Sequence, residues 1–151
     1  MSEVQTGGRV LYTAEARVTG GRAQGHGRTS DGTLEVELRL PAEMGGEGGG
    51  TNPEQLFAVG WAACFESALG VVARRMKLDA DDVRVDSNVM LLPTAERGFK
   101  LAAELDVTLP SIEDRDRAIE VVSAAHQVCP YSNATRGNVD VKLTANEAPV
   151  D

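Results

Sequence analysis

The stretch TNPEQLFAVGWAACFESALGVVARRMK, residues 51–77, decides how the rest of the chain is read. Thr51 and Glu54 have the spacing of a capping box, Asn52 and Gln55 offer an equally valid register, and Pro53 falls in the first turn. From Leu56 to Ala73 only Glu66 and Ser67 are clearly polar. The helix this predicts runs to about Lys77. It is apolar nearly all round, so most of its surface must be covered. The run barely reaches the length of a membrane span, a mid-span carboxylate is unfavourable there, and strands flank it. We therefore read it as a buried central helix rather than a membrane segment. Gly60, Ala63, Ser67 and Gly70 recur at i+3/i+4 spacing, a face on which another backbone can approach closely. A chain of 151 residues has difficulty enclosing such a helix alone, which leads us to expect a dimer.

On the N-terminal side, residues 10–19 read as a strand, and Thr19-Gly20-Gly21-Arg22 as a turn, because paired glycines admit positive φ. A short strand over 22–28 and a turn at Ser30-Asp31-Gly32 follow. Leu34, Val36, Leu38 and Leu40 then alternate with polar partners, the pattern of a half-buried strand. Residues 41–50, PAEMGGEGGG, form a glycine-rich connector or flap; no Lys-Ser/Thr pair follows, so it is not a phosphate cradle. On the C-terminal side, residues 82–92 and 99–109 alternate across a turn and predict a long hairpin. Ser111 with Asp114 opens a second helix, with Ile112, Ile119, Val122 and His126 along one side. It ends near Val128, because Pro130 disfavours helix at Cys129. Residues 138–144 supply a last strand. The order β-β-β-α-β-β-α-β is an α+β arrangement in a single domain spanning 1–151, and a doubly wound parallel sheet is not expected.

Composition narrows the function. A formal charge of −8 argues against a general nucleic-acid binder, which needs an excess of Lys and Arg. The start, MSEVQTGGRV, lacks the basic and apolar regions of a signal peptide. Two cysteines, far apart, make neither a disulfide scaffold nor a CxxC motif, so a cytoplasmic location with reduced thiols is the expectation. Two histidines, also far apart, could join the cysteines in a zinc site or in a Cys-His nucleophile pair only on paper; no ligand spacing supports either, and no metal is expected. His126 reads as a hydrogen-bonded core residue, and Glu66 as an interface or cap partner.

Cys64, amid small apolar neighbours, is either an inert core thiol or a nucleophile in a dry pocket, and its residues alone leave both open. Cys129, at a helix end beside a proline, is equally ambiguous. Three segments together narrow the choice: Gly20 to Arg22, NPEQLFAVGWAACFESAL at 52–69, and VCPYSNATRGN at 128–138. In combination, from about Tyr12 to Leu143, they resemble the organic hydroperoxide resistance proteins, a branch of the OsmC-like family.

The resemblance implies a thiol peroxidase that reduces organic hydroperoxides to alcohols. Cys64 would be the peroxidatic cysteine, Cys129 the resolving one, and Arg22 with Glu54 the polar pair that assists the thiol. It also implies an intertwined homodimer, with two central helices packed between antiparallel sheets of mixed chain origin. The reductant would be an external dithiol, a lipoylated protein, and no bound cofactor would be needed. The chemistry is consistent with the residues. Burial raises a thiol pKa, a guanidinium favours the thiolate, and a carboxylate can hold that guanidinium by a bidentate contact. Without the resemblance, Arg22 reads as an exposed turn residue and Glu54 as a helix cap. Glu54 and Cys64 lie ten residues apart on one helix, roughly 15 Å along its axis, so Arg22 and Glu54 are expected to reach Cys64 from the other subunit. Phe57, Trp61, Phe65 and Leu69 would line an apolar substrate site. Two alternatives remain: a general OsmC-type peroxidase with other substrate and reductant preferences, and a dimeric stress-associated domain that binds apolar ligands without turnover.

Overall fold

Alternation and turn chemistry build the first third of the molecule. The computed structural model describes residues 4–151, which fall into two compact units, one ending at Pro53 and the other beginning at Glu54. In the first, β1 (Ala16–Thr19), β2 (Gln24–Thr29) and β3 (Glu35–Arg39) form an antiparallel sheet in that order. The β1–β2 turn depends on glycine: Gly20 and Gly21 have φ of 79° and 65°. A Cβ on Gly20 would lie 2.2 Å from the Gln24 carbonyl oxygen. The β2–β3 turn is closed by Asp31, whose carboxylate accepts from the Thr29 hydroxyl at 2.7 Å and the Thr33 N–H at 2.9 Å. These bonds hold its pKa below the ordinary carboxylate value, backbone donation from Thr33 being the largest cause.

β1 is shorter than the alternation over 10–19 suggests. Ala16 already pairs with Thr29, the last residue of β2, so earlier residues run past the end of their partner strand. Val10, Leu11 and Tyr12 stand exposed there. The glycine-rich connector folds back on its own start, Gly46 N–H donating to the Pro41 carbonyl and Gly48 N–H to that of Leu40, each at 3.0 Å. A one-turn 3-10 segment at Ala42–Met44 starts it.

In the second unit, α1 (Pro53–Arg75) is the predicted central helix. β4 (Arg84–Pro93) and β5 (Phe99–Thr108) pair along their whole length, from Arg84 opposite Thr108 to Pro93 opposite Phe99. Then come α2 (Arg115–Val128), α3 (Pro130–Thr135), β6 (Asp140–Ala145) and β7 (Ala148–Val150), giving a sheet ordered β4-β5-β6-β7. The β5–β6 pair is parallel, so the sheet is mixed. Parallel neighbours need a crossover, and α2 with α3 supply it. The core lies on one face of this sheet, where Ala103, Leu105, Val107 and Leu143 meet Trp61, Phe65, Leu69 and Val72 of α1 and Ala118, Val121, Val122 and Ala125 of α2.

α2 begins later than the Ser111 register predicts. Asp114 is the N-cap, its carboxylate accepting from Arg117 N–H at 2.9 Å. Ile112 therefore precedes the helix, though it is still buried. The 3.6-residue period turns Ala118, Val121, Val122 and Ala125 inward; of the row expected from Ile112, Val122 is buried among them and Ile119 packs half-buried against the core.

Candidate functional site

The site grows from the join between α2 and α3. Pro130 keeps Cys129 extended, with φ −62° and ψ 122°, so this residue both ends α2 and caps α3. Its side chain is fully buried. Cys64, in the middle of α1, is half-buried, and the Cys129 thiol stands against it. No disulfide joins them.

Burial is the main influence raising the Cys64 thiol pKa above its ordinary value, and the adjacent Cys129 thiol raises it further. The backbone N–H of Tyr131, aimed at the Cys64 sulfur, acts the other way by favouring the thiolate. That amide is in the first turn of α3, where backbone donors have no helical partner. The pair thus sits in a setting that keeps Cys64 protonated unless a cation is brought close.

Around the pair the apolar residues divide into two sets. Trp61, Phe65 and Leu69 are each 0% exposed. They form a floor behind Cys64, facing the sheet and α2, rather than an open lining: the helical period that carries Cys64 to the edge of the core turns these three inward. Trp61 fixes the floor to α3 by donating from its indole N–H to the Ser132 hydroxyl at 3.3 Å. Phe57 alone of the four expected lining residues is half-buried. Its ring meets Trp61 and Tyr131 edge-on, with centroids 5.6 and 5.7 Å away. The Tyr131 side chain lies over Gly60, where an added Cβ would come within 3.0 Å of the phenol oxygen. This close approach is one that only glycine permits without displacement of the ring.

Glu54 occupies the first turn of α1, and Arg22 the β1–β2 turn of the first unit. Since α1 is unbroken from Pro53 to Arg75, the ten-residue separation keeps Glu54 roughly 15 Å from Cys64 along the axis. Glu54 and Cys64 are therefore not brought together within one chain.

His126 departs from the hydrogen-bonded core residue expected. Its ring lies beside Phe65, centroids 6.4 Å apart, yet Nδ1 is buried with no hydrogen-bond partner among the described residues. Burial, and secondarily the charge of Arg136, lower its pKa, so the ring is held neutral. Glu66 is exposed, on the side of α1 away from the core. Among the described residues no group of three or more His, Cys, Asp or Glu side chains could hold a metal ion. A concavity of about 460 Å³ lies over β1 and β2, lined by Arg17, His26 and Arg28, and contains neither cysteine.

Tyr131, Ser132 and Arg136 were missed as individual residues. A signal was available for the first two. Proline directly after Cys129 is a helix-opening pattern, which places the next amides among the unpaired donors of a new helix.

Residues 46–144 match the model of the OsmC-like protein family. The chain is 50% identical to the organic hydroperoxide resistance protein of Xanthomonas axonopodis pv. citri, over 90% of this chain and 95% of that one. It is 52% identical to a solved organic hydroperoxide resistance protein from Legionella pneumophila, with a TM-score of 0.85 over 89% of this chain and 97% of the other. The solved structure of the organic hydroperoxide resistance protein OhrB of Bacillus subtilis matches with a TM-score of 0.80 at 46% identity, covering 89% and 98% of the two chains. The chain belongs to the OsmC-like family, in its organic hydroperoxide resistance branch.

Proposed function

We propose that this protein is a peroxidase that protects against oxidative stress by reducing organic hydroperoxides to alcohols, with Cys64 as the attacking thiol. The carrying observation is the contact between Cys64 and Cys129 thiols at the edge of an apolar core, with a backbone donor aimed at Cys64. The names of the relatives support the substrate class.

In the proposed cycle the Cys64 thiolate attacks the distal peroxide oxygen. The O–O bond breaks, the alkoxide leaves and takes a proton to become the alcohol, and Cys64 becomes a sulfenic acid. Cys129 then attacks that sulfur, forming the Cys64–Cys129 disulfide and releasing water. An external dithiol restores both thiols by exchange. We assign that role to a dihydrolipoyl group on a partner protein, and no bound cofactor enters the cycle. Phe57 and Tyr131 supply the apolar wall beside Cys64, suited to alkyl or lipid chains.

Because burial opposes ionisation of Cys64, the cycle needs a nearby positive charge. We assign it to Arg22, oriented by Glu54, both contributed by the second subunit of a homodimer. The helix geometry that separates Glu54 from Cys64 within one chain supports this. We place the protein in the cytoplasm, where its two thiols are kept reduced between turnovers.

The test is Cys64→Ser. Turnover of tert-butyl and lipid hydroperoxides with dihydrolipoamide is expected to fall to background, while the far-ultraviolet circular dichroism of the protein stays unchanged. Non-reducing mass spectrometry of the native protein after one equivalent of hydroperoxide should find the intramolecular disulfide. Two intact thiols, or full activity in the serine variant, would overturn the reading.

A further inference from the structure

The angle between α2 and α3 decides where the Cys129 thiol points. Cys129 donates its N–H to the Ala125 carbonyl at 2.9 Å and accepts from Asn133 N–H at 2.9 Å, so it belongs to both helices. Pro130 prevents them from joining into one straight helix, leaving an elbow of a single extended residue. Something outside the elbow must set its angle.

Arg136, just past α3, spans it. Its Nη2 donates to the His126 carbonyl in the last turn of α2, and its Nη1 donates to Asn133 Oδ1 in α3 at 2.9 Å. One arm satisfies a terminal carbonyl of α2 with a cation, the charge favoured at a helix C-terminus. The other fastens the same guanidinium to α3. The planar fork suits this double attachment, whereas an ammonium is a point charge.

We propose that Arg136 is a positioning residue for disulfide formation, its two-armed bond across the elbow holding the Cys129 thiol against Cys64. This rests on the peroxidase reading of the cysteine pair. In the step concerned, Cys129 sulfur bonds to Cys64 sulfur, the S–O bond of the sulfenic acid breaks, and the hydroxyl leaves with the Cys129 proton as water. No outside electrons are needed. A displaced Cys129 leaves the sulfenic acid exposed to a second peroxide, which oxidises it to the sulfinic acid.

The test oxidises the full chain with limiting cumene hydroperoxide in the presence of dimedone, which traps sulfenic acids, and measures the products on Cys64 by mass spectrometry. The wild type is expected to give mainly disulfide. In Arg136→Ala the ratio of trapped and sulfinic product to disulfide should rise about tenfold, equivalent to about 1.4 kcal/mol. Arg136→Lys and Asn133→Ala should shift it in the same direction by less, and the rate of first peroxide consumption should change less than the ratio in all three. If Arg136→Ala fails to fold, the other two variants decide the matter. A merely stabilising Arg136 would lower the melting temperature and leave the ratio at the wild-type value, which overturns the proposal. If the wild type itself forms no Cys64–Cys129 disulfide, the peroxidase reading falls and this inference with it. If it does and the variants match it, only the role of Arg136 falls.

Discussion

The hydroxyl of Ser132 joins the core of the second unit to the helix that carries Cys129. It is fully buried and accepts the indole N–H of Trp61, itself fully buried. Ser132→Ala leaves that N–H without an acceptor in a place water does not reach. The expected loss is about 1–3 kcal/mol of unfolding free energy. Urea denaturation followed by Trp61 fluorescence measures it directly, because Trp61 is the only tryptophan in the chain. A change well below this range would mean that the indole finds another acceptor. The reading of CPYSNATRGN explains why such residues were harder to find than Cys64. Cys64 was visible because it interrupts an apolar helix with a chemically distinct atom. Ser132 and Tyr131 act through a hydroxyl and a backbone amide whose partners lie on α1, about 70 residues earlier in sequence, and no local pattern encodes such pairing.

At the scale of the element, α2 combines a regular inner face with one irregular member. Ala118, Val121, Val122 and Ala125 fill the core, and His126 follows with Nδ1 buried and unpaired among the described residues. Its folded pKa is lowered from the ordinary 6.5, chiefly by burial and then by Arg136. The unfolded chain therefore binds a proton at this residue more readily than the folded one. The neutral ring contributes stability that is fully present above about pH 6.5 and is lost as pH falls through the lower, folded pKa. Thermal melts at steps from about pH 7 to pH 5 should show stability declining, and His126→Phe should flatten that decline. An identical slope in the variant would assign the acid sensitivity elsewhere. The helices and the long hairpin were legible because their periodicities of 3.6 and 2 run for many residues. The start of α2, the short α3 and the three-residue β7 were not. An aspartate three residues beyond the first candidate cap competed successfully for that role, and elements this short carry too few periods to read.

At the scale of the whole molecule, α1 has one face buried in the core of the second unit and another face exposed. Its inner face is core, while Val59 is 71% exposed, Ala63 and Ser67 are exposed, and a Cβ added at Gly70 would meet nothing within 4 Å. The sequence pattern predicts cover on most sides, yet only six of the 23 residues of α1 are buried. The same shortage appears before β1, where Val10, Leu11 and Tyr12 extend past the end of β2 with their side chains exposed. Exposed apolar surface of this extent on a helix with a small-residue stripe fits association with a second copy, and a stable pair typically buries about 800 Å² on each partner. A charge placed on that face should oppose pairing without touching the chain's own core. Val59→Lys is therefore expected to convert a dimer into a monomer by light scattering, with little change in secondary structure. If Arg22 and Glu54 act across the interface, the monomer should also lose hydroperoxide turnover, although its Cys64 and Cys129 are unaltered. Wild-type protein that runs as a monomer, or a Val59→Lys variant that stays dimeric and fully active, would exclude this face as the contact between copies.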